Sequence, residues 1–327
     1  MVEFNEKLFL RKDFLENPVK ESVRDSFGKT LVALGKKNKN IYAVSGDLAE
    51  STRAIYFKET FPERFVEVGV AEQNLMGVAC GISLMNKIPF ACSFAVFSPG
   101  RNWDQLRVSG CYSGNNVKVI GAHAGLNVGQ DGATHEALED LAITRVLPNL
   151  NVLVPSDAME ARKATIAMAK HKGMDYMRFG RVDYVSYTTE KTPFQIGKAN
   201  VLIKNGKDAC IIACGLMVYE AIKAAMILEE KGVRVSVINN SSVKPLDEQT
   251  ILEETKKVPL VITAEEHQVT GGLGSAIAEL LSQKQPKKMG FIGVQNTFGE
   301  SGKPEELFEK YGLTSKNIVN KILKLTE

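Results

Sequence analysis

Short apolar segments that alternate with longer helical patterns are the feature that most constrains what this chain can fold into. The apolar segments show no period-two alternation and occupy residues 41–47, 65–69, 88–94, 117–123, 151–156 and 176–181. Helical patterns lie between them, at residues 20–36, 71–86, 99–113, 135–146 and 157–171. Strands that are apolar on both faces and alternate with helices are typical of a parallel sheet covered on both sides. The sequence therefore predicts an α/β fold.

The alternation is interrupted near residues 183–197, where Thr, Tyr and Pro replace the apolar pattern. It then resumes with strands at residues 208–215, 233–240, 259–267 and 290–294, separated by helices at 217–232, 247–257 and 272–284. A chain of 327 residues is also too long for one ordinary core and suits two domains of about 150 residues each. We predict two parallel-sheet α/β domains, at residues 1–190 and 191–327.

Composition argues against several classes of partner. The formal net charge is +3 and the lysines are spread along the chain, so we expect no nucleic acid and no anionic membrane surface as partners. No apolar run approaches the roughly 20 residues of a membrane-spanning helix, and the charged N-terminal segment has no secretory apolar region. Five cysteines stand singly, which predicts free buried thiols in a reducing compartment, with the cytoplasm as the expected location.

Ligands of parallel α/β sheets bind beyond the carboxyl ends of the strands. Applied to the predicted strands, this rule selects as candidates Asp47, residues 69–72, residues 94–97, His123, Ser156 and Arg181.

Glu72 is the one acid in a largely apolar stretch at the start of a predicted helix. The helix dipole favours an acid there by roughly 0.3–1 kcal/mol, which explains the residue type but not its apolar surroundings. A ligand that needs a carboxylate in a dry site is the functional interpretation. Phe94 and Phe97 lie three residues apart, which core packing or a stacked flat ring would both explain.

His123 ends a predicted strand and is followed by a glycine-rich loop that contains Asp131 and His135. Such a loop lets the backbone approach a ligand closely. Two of the four histidines flank it, which favours a functional His123 over a structural one. Asp131 could equally hold a turn, and His135 could cap the following helix.

Arg178 and Arg181 lie on or beside an apolar strand, and a buried arginine needs an anionic partner. That partner is either a phosphate-bearing ligand or a carboxylate of the chain itself. The glycines of "TGGLGSAIAELL", residues 270–281, enter a helix. They favour a tight turn that packs the helix on the sheet over a phosphate site.

These candidates, in this order, resemble the C-terminal half of transketolase. The resemblance rests on "VSGDLAEST", "GVAEQNLMGVACGI", "SFAVFSPGRNWDQLR", "AHAGLNVGQDGATHEALEDLA", "VLVPSDAMEA" and "MRFGR". It extends from about residue 20 through both predicted domains. Some of the motifs are shared with the β subunits of 2-oxo acid dehydrogenases. The resemblance implies a pyrimidine-binding domain followed by a transketolase C-terminal domain.

The resemblance implies thiamine diphosphate as cofactor and assigns catalysis to Glu72 and His123. Glu72 would donate a hydrogen bond or a proton to the aminopyrimidine ring, and a dry pocket suits the protonated carboxyl. Phe94 and Phe97 would hold that ring. Asp47 and Leu48 are assigned to cofactor binding, with Asp47 at the thiazolium side.

The resemblance also implies a substrate site. Its sugar-phosphate clamp comprises Arg24, Ser51, His123 and Arg181. Asp131 and His135 would contact sugar hydroxyls. Two positions depart from the family pattern, because Gly100 stands where many members have a third aromatic and Gln130 replaces an acid.

The chain lacks the GDG motif and the following Asn motif that hold the diphosphate and its divalent ion in this superfamily. We therefore expect no metal ligands on this chain. A separate N-terminal subunit is expected to hold the diphosphate and Mg²⁺ or Ca²⁺, in an α2β2 assembly. Self-association through the pyrimidine-binding and C-terminal domains is also expected.

The implied activity is transfer of a two-carbon ketol unit from a ketose phosphate to an aldose phosphate in the pentose phosphate pathway. Modified sugars are alternative donors. A 2-oxo acid dehydrogenase β subunit and a non-catalytic assembly subunit are the alternative functions. The sugar-phosphate clamp argues against the first, and retention of Glu72 with that clamp argues against the second.

Overall fold

The computed structural model describes residues 2–326. In its first part the strands are β1 (Lys20–Glu21), β2 (Ile41–Ser45), β3 (Phe65–Glu67), β4 (Ile88–Phe94), β5 (Lys118–Ala122), β6 (Leu150–Leu153), β7 (Met174–Arg178) and β8 (Tyr184–Val185). The helices are α1 (Val23–Lys37), α2 (Ala49–Thr52), α3 (Ile55–Thr60), α4 (Glu72–Leu84), α5 (Trp103–Gln105), α6 (Asp140–Arg145) and α7 (Ala158–Lys170). A π-helix, Leu106–Tyr112, continues α5, and 3-10 turns span Glu6–Leu8, Pro62–Arg64 and Leu126–Asp131.

The second part contains the strands β9 (Asn200–Ile203), β10 (Ala209–Ala213), β11 (Val235–Asn239), β12 (Ser242–Lys244), β13 (Leu260–Gln268) and β14 (Lys288–Val294). Its helices are α8 (Met217–Glu230), α9 (Glu248–Thr255), α10 (Leu273–Lys284), α11 (Pro304–Lys310) and α12 (Ser315–Thr326).

The first sheet has seven strands in the order β12–β6–β7–β5–β4–β2–β3. Strands β2 to β7 run parallel to one another, which confirms the predicted parallel α/β architecture. Phe94 pairs with Ala122, and Gly121 pairs with Arg178. This register places the carboxyl ends of the central strands at the same level, so the segments that follow them meet at one edge.

The second sheet has five strands in the order β14–β13–β10–β11–β9. Four of these strands run parallel to one another, whereas β9 runs antiparallel to β11, and an isolated bridge joins Phe4 to Ile203 of β9. The N-terminal segment therefore extends this second sheet, although the predicted boundary assigns it to the first domain. That boundary stays a prediction.

β12 is the strand that links the two parts. It follows β11 of the second sheet but pairs antiparallel with β6 at the edge of the first. Its sequence, "SVK", shows no apolar run, so the sequence does not predict this strand. Its antiparallel pairing with β6 places it there, with Ser242 and Val243 buried.

Local sequence explains where the main helices begin. Ser22 caps α1 by accepting a hydrogen bond from the backbone N–H of Asp25, and Asp157 caps α7 in the same way. Phe27 of α1 is fully buried against Phe90 and Phe179, with ring centroids 6.2 and 5.7 Å away. Burial of each such ring stabilises the fold by about 1.5–3 kcal/mol.

Two predictions about helices are wrong, and two helices were not predicted. The helix expected at residues 135–146 begins only at Asp140, so His135 does not cap it. The segment 99–113 holds the short α5 and the π-helix in place of one α-helix. Helices α11 and α12 are absent from the sequence-based expectation.

The glycine-rich entry to α10 accommodates a carboxylate of the chain itself. Glu265 accepts hydrogen bonds from the backbone N–H groups of Leu273 and Gly274, both at 2.7 Å. A Cβ at Gly272 would lie 2.0 Å from Glu265 Oε2. This geometry agrees with the tight-turn interpretation, because the carboxylate occupies the place that a phosphate would need.

All five cysteines are free and buried, as predicted. Among residues 2–326, no helix has the length and apolar character needed to cross a membrane.

Candidate active site

Glu72 is the first residue of α4 and is only 4% exposed. Its carboxylate Oε1 lies 3.0 Å from Nη1 of Arg101, whose side chain is 52% exposed. The backbone oxygen of Glu72 accepts a hydrogen bond from Asn102 Nδ2 at 3.1 Å. Glu72 is therefore a buried acid paired with a half-exposed cation, and sequence reasoning did not single out Arg101.

Phe94 lies at the centre of a group of aromatic rings. Its ring stacks on Phe97 with centroids 6.0 Å apart and on His123 with centroids 3.9 Å apart. His135 meets Phe97 edge to face, at 5.3 Å. The structure thus brings the two predicted phenylalanines and the two loop histidines into one cluster.

Arg101 connects this cluster to Glu72. Its guanidinium carbon lies 4.1 Å from the centroid of the Phe97 ring, within cation–π range. A continuous series of contacts therefore runs from Glu72 through Arg101, Phe97 and Phe94 to His123.

His123 follows β5 directly and has a left-handed backbone conformation, with φ of 52°. Its side chain is buried, and Nδ1 has no hydrogen-bond partner among the described residues. Burial lowers the pKa of His123 to about 3, and the nearby charges of Arg24, Arg181 and Arg53 act in the same direction. The imidazole is therefore neutral near pH 7, with a ring nitrogen available to a ligand.

Arg24 lies beside Ser51, the residue with which it was predicted to form a clamp. Its Nη1 donates a hydrogen bond to the backbone oxygen of Ser51 at 3.0 Å, and its buried Nε has no partner within residues 2–326. Burial lowers the pKa of Arg24 from its usual value, and the charge of Arg53 lowers it further. Arg53 is thus an additional cation of this site that the sequence did not reveal, and it pairs with Asp25 at 2.7 Å.

Arg181 follows β7 and is half-exposed. Its Nη1 donates to the backbone oxygen of Val128 at 2.9 Å and lies 3.6 Å from Oδ1 of Asp131. The backbone N–H of Arg181 donates to Oδ1 of Asn127. The glycine-rich loop therefore positions this arginine beside the predicted sugar-binding acid.

The second sheet holds that loop in place. Glu266 of β13 accepts hydrogen bonds from the backbone N–H and from Nδ2 of Asn127, at 2.8 and 2.9 Å. Gly125 has a φ of 88°, and a Cβ there would lie 2.3 Å from Glu266 Oε1. Only glycine permits this approach. Burial raises the pKa of Glu266 to about 7, while Arg178 and Asn127 oppose the rise.

Arg178 and Arg181 have different environments. Arg178 is buried, its Nε lies 3.2 Å from Asp140 Oδ2, and its Nη1 and Nη2 donate to the backbone oxygen of Glu266. The buried ion pair is therefore the correct interpretation for Arg178. Arg181 alone of the two reaches the candidate site.

Asp47 and Leu48 lie on the same sheet edge, after β2. Asp47 has a φ of 64°, and its backbone N–H donates to Glu67 Oε1 at 2.7 Å. Leu48 donates its N–H to Ser45 Oγ at 3.3 Å. Asp47 thus holds a conformation that is uncommon for a residue other than glycine, as often found at functional sites.

The observed side chains fit one half of the expected cofactor. A buried carboxylate and a stack of aromatic rings suit a planar, nitrogen-containing ring. Among residues 2–326, no group of three or more His, Cys, Asp or Glu side chains is arranged to hold a metal ion. The expectation that a partner supplies the metal stays a prediction.

Comparison with protein families gives two matches. The transketolase pyrimidine binding domain matches residues 20–185, and the transketolase C-terminal domain matches residues 197–318. Together these two segments cover most of the chain.

Two curated relatives have lengths similar to that of this chain. A 6-deoxy-6-sulfo-D-fructose transketolase subunit from Clostridium sp. (strain MSTE9) is 39% identical over 305 residues, covering 93% of this chain and 94% of that protein. One of the subunits of an apulose-4-phosphate transketolase, from Phocaeicola vulgatus, is 36% identical over 305 residues, covering 93% and 97%. A solved structure described as a split gene transketolase, inactive β4 tetramer, matches with a TM-score of 0.86 and 45% identity, covering 92% of this chain and 97% of that one.

Proposed function

This chain belongs to the transketolase family, and we propose that it is the C-terminal subunit of a split, thiamine-diphosphate-dependent transketolase. The observation that carries the proposal is the continuous contact from buried Glu72 through the aromatic rings to His123, beside Arg24 and Arg181. An acid, a ring-stacking surface and an anion site are the parts that ketol transfer requires of this half of the enzyme.

Glu72 and the two phenylalanines form the proposed cofactor-binding half. Glu72 Oε1, the oxygen now bound by Arg101, would share a proton with a ring nitrogen of the aminopyrimidine. Burial of Glu72 excludes water from that proton. Phe94 and Phe97 would orient the ring by stacking, while Asp47 and Leu48 would contact the cofactor from the end of β2. When bound, thiamine diphosphate supplies a nucleophilic carbon and accepts the electrons of the cleaved carbon–carbon bond.

His123 and the clamp residues would hold the sugar. His123 is neutral near pH 7, so it can hold or release a proton at a substrate oxygen without adding charge. Arg24, Ser51 and Arg181 would bind the anionic end, since guanidinium groups form charge-assisted hydrogen bonds with phosphate oxygens. Asp131 and His135 would contact the hydroxyl groups in between.

A separate N-terminal subunit would supply what this chain lacks. We assign to it the diphosphate, Mg²⁺ or Ca²⁺ and the remaining part of the sugar channel, in an α2β2 assembly. The matched structure described as an inactive β4 tetramer supports this division, because β subunits without the partner are the form called inactive there.

We propose self-association through the pyrimidine-binding and C-terminal domains, with the outer face of α4 and the residues beside it as the contact surface of the first domain. Gly77 and Gly81 are exposed, and a Cβ at either would meet no atom within 4 Å. Leu84, Met85 and Tyr112 are also exposed, at 74%, 70% and 86%. Apolar patches of this kind mark interaction surfaces.

For the reaction, we propose transfer of a two-carbon ketol unit from a ketose phosphate to an aldose phosphate, as in the pentose phosphate pathway. The names of the two curated relatives, subunits of a sulfofructose and of an apulose-4-phosphate transketolase, keep modified sugars as alternative donors. The proposed location is the cytoplasm, which the five free thiols support.

The deciding experiment reconstitutes the chain with its N-terminal partner and supplies thiamine diphosphate and Mg²⁺. Xylulose 5-phosphate with an aldose phosphate is expected to give ketol transfer, and a 2-oxo acid is expected not to be decarboxylated. Glu72→Gln should reduce turnover by about 100-fold or more. The exposed Glu59→Gln serves as the charge-matched control and should leave turnover unchanged.

Three results would contradict the proposal. Ketol transfer by the isolated chain would exclude a split site, and decarboxylation of a 2-oxo acid in place of ketol transfer would identify a dehydrogenase subunit. Unchanged turnover after Glu72→Ala would identify a non-catalytic assembly subunit.

A further inference from the structure

Arg101 makes both of the contacts that the proposed function assigns to the cofactor ring. One of its guanidinium nitrogens lies 3.0 Å from Glu72 Oε1, and the guanidinium carbon lies 4.1 Å from the centroid of Phe97. A guanidinium group is planar, carries hydrogen-bond donors at its edge and stacks on aromatic faces. These are also the properties by which an aminopyrimidine would be held by an acid and a phenylalanine.

We propose that Arg101 is a surrogate occupant of the aminopyrimidine site, which the cofactor must displace from Glu72 and Phe97. This inference rests on the proposed function, because it identifies the ligand of the same two residues. Cofactor binding to this half of the site is then an exchange of one planar partner for another.

The local backbone directs Arg101 towards the site. The preceding residue is Gly100, where a Cβ would lie 2.2 Å from the backbone oxygen of Val96. The backbone N–H of Arg101 donates to the carbonyl of Phe97 at 2.8 Å. This tight turn excludes a side chain at position 100, where many transketolases have an aromatic residue, and places the next side chain over Phe97.

Arg101 can leave more easily than Glu72 can. The side chain of Arg101 is 52% exposed, so solvent is available to the guanidinium group as soon as it moves outwards. Glu72 is held at the start of α4 and stays buried. The mobile partner of the pair is therefore the arginine, and the carboxylate stays in place for the next ligand.

The exchange has a measurable consequence for affinity. While the cofactor is absent, the ion pair and the cation–π contact stabilise the ligand-free state, and binding must first break them. Removal of Arg101 would leave a buried carboxylate without its cation and would therefore favour the cofactor-bound state. Arg101→Met is expected to tighten thiamine diphosphate binding by about three- to tenfold.

The test is calorimetric titration of the reconstituted complex with thiamine diphosphate at fixed Mg²⁺. Arg101→Met keeps the side-chain length without the charge, and Arg101→Lys keeps the charge without the planar group. Arg107→Met, an exposed arginine in the same segment, is the matched control. We expect the Kd to fall for Arg101→Met, to fall less for Arg101→Lys and to stay constant for Arg107→Met.

An equal or higher Kd for Arg101→Met would overturn the exchange while leaving the proposed function intact. Failure of the unmodified complex to bind thiamine diphosphate would instead overturn the proposed function. The two failures are therefore distinguishable in one series of titrations.

Discussion

Asn127 donates hydrogen bonds from Nδ2 to both carboxylate oxygens of Glu266, each at 2.9 Å, and thereby joins the glycine-rich loop to the second sheet. The same amide accepts a hydrogen bond, through Oδ1, from the backbone N–H of Arg181. Asn127 of the loop and Glu266 of the second sheet thus hold the backbone of Arg181, which is proposed to bind the anionic end of the sugar. On that proposal, Asn127 and Glu266 are positioning residues that act through Arg181.

We expect Asn127→Ala to weaken binding of the anionic donor more than it slows turnover. The variant keeps the backbone N–H bond to Glu266 but removes both bonds from Nδ2, and it removes the acceptor of the Arg181 backbone N–H. The lost hydrogen bonds correspond to about 1–3 kcal/mol. In the reconstituted enzyme, KM for the donor should rise about tenfold or more with a smaller change in kcat. Asn320→Ala, an exposed position of α12, is the control. A fall in kcat at unchanged KM would argue against this role.

Glu136→Gln should stabilise the protein at alkaline pH. Burial raises the pKa of Glu136 to about 7 from a usual 4.5, and Glu266 and Glu300 raise it too. The unfolded chain loses this proton above pH 4.5 while the folded chain keeps it to about pH 7, so stability falls across that window.

The variant lacks that loss. Its free energy of unfolding, measured by urea unfolding, should exceed that of the unmodified chain by about 1–2 kcal/mol at pH 8. This gain should disappear near pH 4.5. The exposed Glu305→Gln should show no such pH-dependent gain. A gain that is equal at both pH values would exclude titration of Glu136 as its cause.

His123 should make the fold sensitive to acid. Its pKa falls from 6.5 to about 3 on folding, chiefly through burial, so below pH 6.5 the unfolded chain binds a proton that the folded chain does not. Stability therefore decreases as the pH falls from 6.5 towards 3, by up to about 1.4 kcal/mol per pH unit from this group. His123→Asn removes the group and tolerates the left-handed backbone. Between pH 7 and pH 5, urea unfolding should show a smaller loss of stability for the variant than for the unmodified chain. An equal loss would show that His123 is not the cause of the acid sensitivity.

Lys118 and Asp175 form a fully buried ion pair, with Nζ and Oδ2 2.6 Å apart, at the sheet edge opposite the candidate site. Asp175→Asn leaves the ammonium group buried without its counter-ion and should destabilise the fold by about 3–5 kcal/mol. The double variant Lys118→Met with Asp175→Asn should recover part of that loss. Denaturant titration measures both changes, and a double variant less stable than Asp175→Asn would contradict the explanation.

Gly77→Gln separates the stability of the chain from its assembly. Open space surrounds the position, so the side chain should fit in the single chain and improve helix propensity by a few tenths of a kcal/mol up to about 1 kcal/mol. If the outer face of α4 is an interface, the same side chain should lower the fraction of oligomer, as measured by light scattering after size exclusion. Ala33→Gln on the exposed side of α1 is the control. An unchanged oligomer would place the interface elsewhere.

Strands β2 and β4 to β7 of the first sheet were predictable because they are buried on both faces, which leaves a continuous apolar pattern in the sequence. The rule that ligands bind beyond the carboxyl ends of parallel strands located Glu72, Phe94 and His123, since residues at those ends lie close together. The π-helix and the late start of α6 were not predictable in this way, because their limits depend on tertiary contacts and not on a local apolar period.

Sequence reasoning missed the residues that complete the site from a distance. Asn127 and Glu266 lie 139 positions apart, and no local pattern connects them. Arg178 and Arg181 are the same residue type three positions apart, yet one is neutralised by Asp140 and the other faces the loop. The signal that could have selected Arg101 is its place directly after a glycine within the aromatic motif.

The pairing of β12 with β6 bears on how the polypeptide can be divided. A shortened chain that ended at residue 190 would retain β6 and β7 but lose β12, and the backbone N–H and C=O groups on the outer side of β6 would be left unpaired. Such an open edge recruits strands from other molecules and promotes aggregation. Residues 242–244 therefore cover the edge of a sheet whose other strands lie far from them in sequence. A chain that carries the first sheet should stay monodisperse in solution only when it also carries the second.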